Sequence, residues 1–276
     1  MRLVDSHCHL QADQFTADLD LVVGGARLAG VERLLVPGWD PDSCAGAVRV
    51  VERHPWLDAA AGVHPHDAAR VDDRAWDAIA ALARDDRVVA VGETGLDFDR
   101  VFSPIDAQLA NLRRNLRLAL DLGKPAILHC RSGPGRRDAQ DALVGELRAA
   151  GFGTGAGGGT FADRAAAVIH SYSGPPDFAA AVLDMGLAIS FSGLVFRAGE
   201  ESSAEVASTV PAGRLLVETD SPFLSPPGAP RRRNEPEWVA VTARWLAERR
   251  AEDAELMGAA LVATYDAVFA RPGRSS

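Results

Sequence analysis

VDSHCHL, residues 4–10, places two of the chain's seven histidines two positions apart. In an extended strand, residues i and i+2 point to the same face. The apolar residues after Arg2 suit a short strand, so His7 and His9 would project together, with Asp5 below them and Cys8 turned away. Two imidazoles on one face can share a metal ion, and they can equally be solvated or core histidines. The rest of the chain decides between these readings.

Short apolar runs recur at 3–7, 33–37, 57–63, 87–92, 126–130, 166–171, 186–191 and 214–218. Amphipathic segments rich in Ala, Leu and Arg lie between them at 16–29, 42–53, 72–84, 106–122, 137–150, 177–184 and 201–210. The tail, 235–270, reads as two C-terminal helices. Apolar runs alternating with helical patterns indicate buried parallel strands joined by helical crossovers. Eight strands in about 250 residues is the count of an α/β chain of the (β/α)8 TIM-barrel type. A single domain over 1–276 is therefore expected, with a doubly wound open sheet as the rival. The glycine-rich GFGTGAGGGTFADR, 151–164, lacks a P-loop pattern and is expected to be a flexible surface insert. SPPGAPRRRNEPEW, 225–238, is a proline-rich loop carrying Arg231–Arg233.

Hydrophobic residues make up 47% of the 276, enough to build a substantial core. A net charge of −9 excludes a broadly basic nucleic-acid coat but permits a local basic patch. No apolar run reaches eighteen residues and no basic-then-apolar leader is evident, so neither a membrane span nor a signal peptide is expected. Three cysteines, Cys8, Cys44 and Cys130, are too few and too odd for a disulfide framework, which fits a cytoplasmic protein.

The polar residues that end the strands carry the chemistry. His7 and His9 end the first strand, His64 and His66 (GVHPH) the third, and Glu93 and Asp97 (VGETGLD) the fourth. His129 and Arg131 (ILHCR) end the fifth, His170 (VIHSYSG) the sixth, and Glu218 and Asp220 (LLVETDSP) the eighth. Only His54 lies elsewhere. In a barrel these carboxyl ends converge on one face, where active sites are built. Imidazole with carboxylate suits zinc, manganese or another divalent ion, and no thiolate set is evident; Cys8 and Cys130 read as packing residues. The donors exceed what one tetrahedral ion needs, so two ions about 3.5–4 Å apart with a bridging carboxylate use them more economically. Lys124, the only lysine, precedes the fifth strand five residues before His129, roughly 16 Å away at about 3.3 Å per residue. It cannot bridge two ions on the carboxyl face, and Glu93 is better placed.

Taken in order, DSHCHL, GVHPH, GETGLD, LHCR, HSYSG and ETDSPFL…RRRNEP resemble the successive signatures of TatD-type metal-dependent deoxyribonucleases, a branch of the amidohydrolase-like barrels. The resemblance runs from residue 3 to about 240. It implies that His7, His9, Glu93 and Asp220 hold one ion, and that Glu93, His129 and His170 hold a second, with Glu93 bridging. It also implies that His64 faces the substrate phosphate. Phe98 (tyrosine is usual after GLD), HSYSG (for HCFSG) and the insert depart from the family pattern, but none removes a ligand. The expected activity is hydrolysis of DNA phosphodiester bonds, at 3′ ends or single strands, through a water activated by two divalent ions (Mg, Mn or Zn). Asp220 would orient or deprotonate that water, and Arg131 would touch phosphate or form a structural ion pair. Asp5, Asp97 and Glu218 would fix imidazole orientation, although Asp5 reads equally as a buried acid bonded to backbone. His66 fits a loop cap as well as a catalytic part, and Arg231–Arg233 fit DNA contact or a solvated surface. Two other classes stay open: a hydrolase or deaminase of a small C–N substrate, and a non-catalytic metal-binding barrel. No membrane or stable protein partner is implied.

Overall fold

A computed structural model describes residues 1–153 and 161–270. Eight strands run in chain order: β1 Leu3–Asp5, β2 Val31–Pro37, β3 Asp58–Ala61, β4 Val88–Asp97, β5 Ala126–Arg131, β6 Ala167–Ile169, β7 Ala188–Phe191 and β8 Leu215–Val217. The helices α1 Leu19–Leu28, α2 Pro41–Arg53, α3 Asp73–Leu82, α4 Ile105–Leu122, α5 Asp138–Ala149, α6 Pro176–Asp184 and α7 Glu201–Ala207 connect successive strands. Helices α8 Val239–Arg250 and α9 Ala254–Val268 follow β8. Each strand pairs in parallel with the next, in the order β1 to β8. This is the (β/α)8 barrel, and the doubly wound alternative is excluded because strand order never reverses.

Local sequence explains the starts of several helices. Asp40 accepts the Ser43 N–H at 2.7 Å while Ser43 Oγ accepts the Asp40 N–H at 2.8 Å, a reciprocal capping box with Pro41 at the first helical position of α2. Asp72 caps α3 through the Ala75 N–H, and Asp253 caps α9 through Glu255 and Leu256. The strands are buried on both faces, so they read as unbroken apolar runs.

β1, β3, β6 and β8 stop short of their expected carboxyl ends, β2 and β7 end where expected, and β4 and β5 run further. β1 stops at Asp5, so His7 and His9 lie just beyond the ladder. Their segment closes the barrel. The Ser6 N–H bonds Val217 O at 3.0 Å, the Asp220 N–H bonds His7 O at 2.9 Å, and the His9 N–H bonds Ser221 O at 2.7 Å. The Cys8 N–H bonds Leu35 O on β2, so the segment is pinned from both sides. β4 instead runs through Glu93 to Asp97, with a register shift between Val91 and Thr94. Gly95 there has φ +138°, and a Cβ would lie 1.9 Å from His129 O, so only glycine lets β4 pass this close to β5.

Helix α9 packs against β1, β2 and β8, and the Tyr265 hydroxyl donates to Asp58 Oδ2 at the start of β3. Lys124 donates to the carbonyls of Ala83 and Asp85 at 2.7 and 2.9 Å, before β5 begins. Of the expected insert at 151–164, residues 154–160 lie outside the described residues. On its flanks Phe152 is buried, and the Arg164 guanidinium bonds Gly123 O at 2.6 Å.

Candidate metal centre

Six strand ends bring their side chains to one point. His7 Nε2 lies 3.2 Å from His9 Nε2, 3.3 Å from Glu93 Oε2 and 3.7 Å from Asp220 Oδ1. His9 Nε2 lies 3.6 Å from Glu93 Oε2 and 3.3 Å from Asp220 Oδ1. Donor atoms about 2.0–2.1 Å from a tetrahedral centre are separated by about 3.3–3.4 Å, so these spacings fit one ion. The other Glu93 oxygen faces a second group. Oε1 is 2.8 Å from His170 Nε2, 3.4 Å from His129 Nδ1 and 3.3 Å from His64 Nε2, and the His129 and His170 nitrogens are 3.4 Å apart. Glu93 thus divides its two oxygens between two imidazole groups.

The far nitrogen of each ring decides which of these atoms offers a lone pair. His9 Nδ1 donates to Pro37 O at 3.3 Å and His170 Nδ1 donates to Glu218 Oε1 at 3.2 Å, leaving each Nε2 free to ligate. His129 Nε2 faces Asp97 Oδ2 at 3.5 Å, too long for a good hydrogen bond. His7 Nδ1 is buried with no hydrogen-bond partner. His64 is different. Its Nδ1 accepts the His66 backbone N–H at 3.1 Å, so a neutral ring carries its proton on Nε2. His64 therefore meets Glu93 Oε1 as a donor and has no lone pair there for an ion. Burial lowers its pKa to about 4, which keeps the ring neutral at physiological pH.

Electrostatics follow from five imidazoles packed around buried acids. Burial alone would raise Glu93, but His170, His64 and His7 outweigh it and hold the carboxyl well below its ordinary range. Burial likewise opposes the charge on His170, yet Glu93 and Glu218 raise it well above the usual imidazole value. Glu218 is lowered to about 2 against its burial, chiefly by the hydrogen bond from His170. His7, buried and stacked on His170 at 3.9 Å between ring centroids, is lowered.

The residues behind the donors are tied down. Glu218 Oε1 also accepts the Ser171 N–H at 2.7 Å and hydroxyl at 2.8 Å, and Ser6, Ser190 and Ser192 extend this buried hydroxyl network. Asp97 Oδ2 accepts His66 Nε2 at 2.7 Å while Oδ1 accepts the Asp99 and Arg100 N–H groups. Asp5 meets no imidazole. It accepts the N–H groups of His7 and Thr219 at 3.3 and 2.9 Å and the Thr219 hydroxyl at 2.6 Å, joining the two segments that close the barrel. Burial raises Asp5 to about 8 despite these donors. Arg131 Nε bonds Asp99 Oδ2 at 2.8 Å on an exposed rim. Arg233 is committed to Asp18 and Glu235 and lies over Phe15, which leaves Arg231 and Arg232 as the exposed members of their run. Cys8 and Cys130 are buried in the core and meet no cluster of candidate ligands.

The serine network was not anticipated from sequence. Ser6 and Ser171 stand beside the histidines in DSHCH and HSYS, but hydroxyls that meet across the barrel leave no spacing signal.

Comparison with known proteins places this geometry. The family model for TatD related DNase matches residues 4–270. The chain is 34% identical over 273 residues to the 3'-5' ssDNA/RNA exonuclease TatD of Klebsiella pneumoniae, covering 97% of each chain. It is 34% identical over 248 residues to the uncharacterized metal-dependent hydrolase YabD of Bacillus subtilis, covering 89% of this chain and 90% of that one. The crystal structure of YJJV, a TatD homologue from Escherichia coli, superposes with a TM-score of 0.85 at 29% identity, over 98% of this chain and 99% of that one. A match spanning almost every described residue, with both ends of the barrel included, leaves one assignment: the chain belongs to the TatD related DNase family of metal-dependent hydrolases.

Proposed function

We propose that this chain hydrolyses phosphodiester bonds at the 3′ ends of single-stranded DNA or RNA, using two divalent ions. The observation that carries the reading is Glu93, whose two oxygens face separate groups of imidazole nitrogens. The names of the Klebsiella relative and its kin supply the substrate class. His7, His9, Asp220 and Glu93 Oε2 would hold one ion, and His129, His170 and Glu93 Oε1 the other. The mixed imidazole and carboxylate set accepts magnesium, manganese or zinc. Bound ions would polarise the phosphoryl group, acidify the attacking water and stabilise the leaving oxygen.

The chain's own groups do the rest. Asp220 is partly exposed at the mouth of the centre, with a carboxylate oxygen able to accept a proton from the incoming water. His64 Nε2–H donates to a phosphoryl oxygen as charge grows there, the role of an oxyanion donor. Glu218 holds the His170 ring in orientation, while Asp97 faces His129 Nε2 from 3.5 Å. Arg131 and Arg100, exposed on the same rim, meet the flanking phosphate. A cytoplasmic setting belongs to the same proposal, since Cys8, Cys44 and Cys130 are buried free thiols. Among the described residues, no helix is long and apolar enough to cross a membrane.

The test is chelated protein reloaded with magnesium, manganese or zinc and assayed on end-labelled single-stranded oligonucleotides, small amides and nucleosides. Stepwise loss of 3′ nucleotides on reloading supports the proposal. Turnover of amides or nucleosides alone would replace it with the C–N reading.

A further inference from the structure

Large hydrophobic side chains left exposed among the described residues include two aromatic ones, Phe102 at 64% and Phe223 at 54%. Phe223 sits on His9 of the candidate centre and Phe102 on His66 beside it. Phe102 meets His66 edge to face at 4.7 Å between centroids, on the side of Asp97 and His129. Phe223 meets His9 at 6.1 Å, on the side of Asp220, and Trp39 packs against the same ring at 5.2 Å. The two rings therefore flank the centre, one by each group of donors. Both stand next to unusual backbone: Val101 and Leu224 each have φ +48°, a region side-chain-bearing residues rarely adopt. Exposed arginines lie in the same loops, Arg100 two residues before Phe102, and Arg231 and Arg232 eight and nine residues after Phe223. An exposed aromatic ring is what an unpaired base can stack on.

We infer that Phe102 and Phe223 are stacking platforms for the unpaired bases on either side of the scissile phosphodiester. This rests on the nuclease reading and adds the feature that selects single strands: a duplex keeps its base faces stacked on one another, while an unpaired base offers a face to each ring.

The experiment measures KM and kcat for wild type, Phe102→Ala and Phe223→Ala with the reloading metal and a single-stranded oligonucleotide. A parallel substrate carries tetrahydrofuran abasic residues at the two nucleotides flanking the cleaved linkage. Each truncation is expected to raise KM about 5- to 100-fold on the normal strand, with Phe→Trp restoring it, and the loss is expected to vanish when the facing base is removed. An unchanged KM, a fall in kcat alone, or an equal loss on the abasic strand would overturn the inference. If wild type cleaves no strand, the nuclease reading fails, and the platforms are judged by fluorescence of Phe102→Trp and Phe223→Trp. Quenching by oligo(dT) beyond that of wild type supports them, and its absence overturns them.

Discussion

Replacing Glu93 by glutamine keeps the side-chain shape and removes the one charge that faces both donor groups. Loss of a group that merely orients a ligand costs about 10–100-fold in metal affinity, so loss of a ligand costs at least about 100-fold at each site. At a metal concentration about a thousand times the wild-type Kd, wild type gains about 4.1 kcal/mol per ion. The variant would gain about 1.4 kcal/mol, a difference of about 2.7 kcal/mol per site. Two sites that share Glu93 lose about 5 kcal/mol between them, and a chain of this size shifts its Tm by about 2–4 °C per kcal/mol. Metal addition should therefore raise the Tm of Glu93→Gln by roughly 10–20 °C less than it raises that of wild type. The assay is thermal unfolding with chelator and with added manganese, paired with bound-metal content and oligonucleotide turnover. The variant should keep its circular dichroism spectrum in chelator, need at least about 100-fold more manganese to fill its sites and lose turnover. An unchanged metal-induced Tm shift with two ions bound would refute the bridging argument.

Four other outcomes follow from the same geometry. His64→Ala should keep its bound metal and lose about 10²–10³-fold in kcat, because it removes a donor and no ligand; metal loss measured in this variant would make His64 a ligand instead. Glu218→Leu should weaken manganese binding by about 10–100-fold, since His170 loses the acceptor that orients it; calorimetric titration showing wild-type affinity would rule that out. Metal affinity should climb with pH through and beyond the usual imidazole value, because His170, His9 and His129 are all raised and each proton must leave before an ion binds; a flat profile from pH 6 to 8 would contradict this. Arg231→Ala with Arg232→Ala should reduce the slope of log affinity against log salt by about 1.4 on single strands, checked by fluorescence anisotropy, and an unaltered slope would place both outside the nucleic-acid path.

How much of this was legible in sequence depends on which interactions leave a periodic trace. All eight strands and the connecting helices were readable, because strands buried on both faces appear as unbroken apolar runs and helices as amphipathic ones. Strand ends were less so: β1 stops at Asp5, since His7–His9 bonds to β2 and to the Val217–Ser221 segment instead of continuing one ladder. The residues of the centre were readable because a barrel sends the carboxyl ends of its strands to one face. Their division of labour was legible only through the family resemblance. His64 and His129 look equivalent as strand-end histidines, and the His66 N–H that occupies His64 Nδ1 gives the physical ground for separating them. Asp5 reads equally as an orienting acid or a buried acid bonded to backbone by its place before His7, and its oxygens are taken by Thr219 and by backbone. Arg233 is indistinguishable from Arg231 in the run, and Asp18, more than two hundred residues earlier, claims it. Each of these depends on a contact between segments far apart in the chain, which no local pattern records.

The way the barrel closes links its stability to its chemistry. β1 and β8 contribute three residues each, and the bonds joining them continue past both ladders into Ser6–His9 and Val217–Ser221. Those are the segments that carry His7, His9 and Asp220. The same short stretches therefore have two tasks, sealing the sheet and presenting side chains to the centre. Asp5 and Thr219 lock them together in a buried place where an unmatched polar group would cost about 1–3 kcal/mol. An ion held by His7 and His9 from one side and Asp220 from the other would span this seam, so its binding energy would act directly on closure. Metal removal should then loosen the β1–β8 seam before the β4–β5 ladder, which pairs five residues of each strand. Amide exchange in chelator should reach Ser6, His9 and Asp220 first, and uniform exchange across the barrel would mean that closure does not depend on the centre it carries.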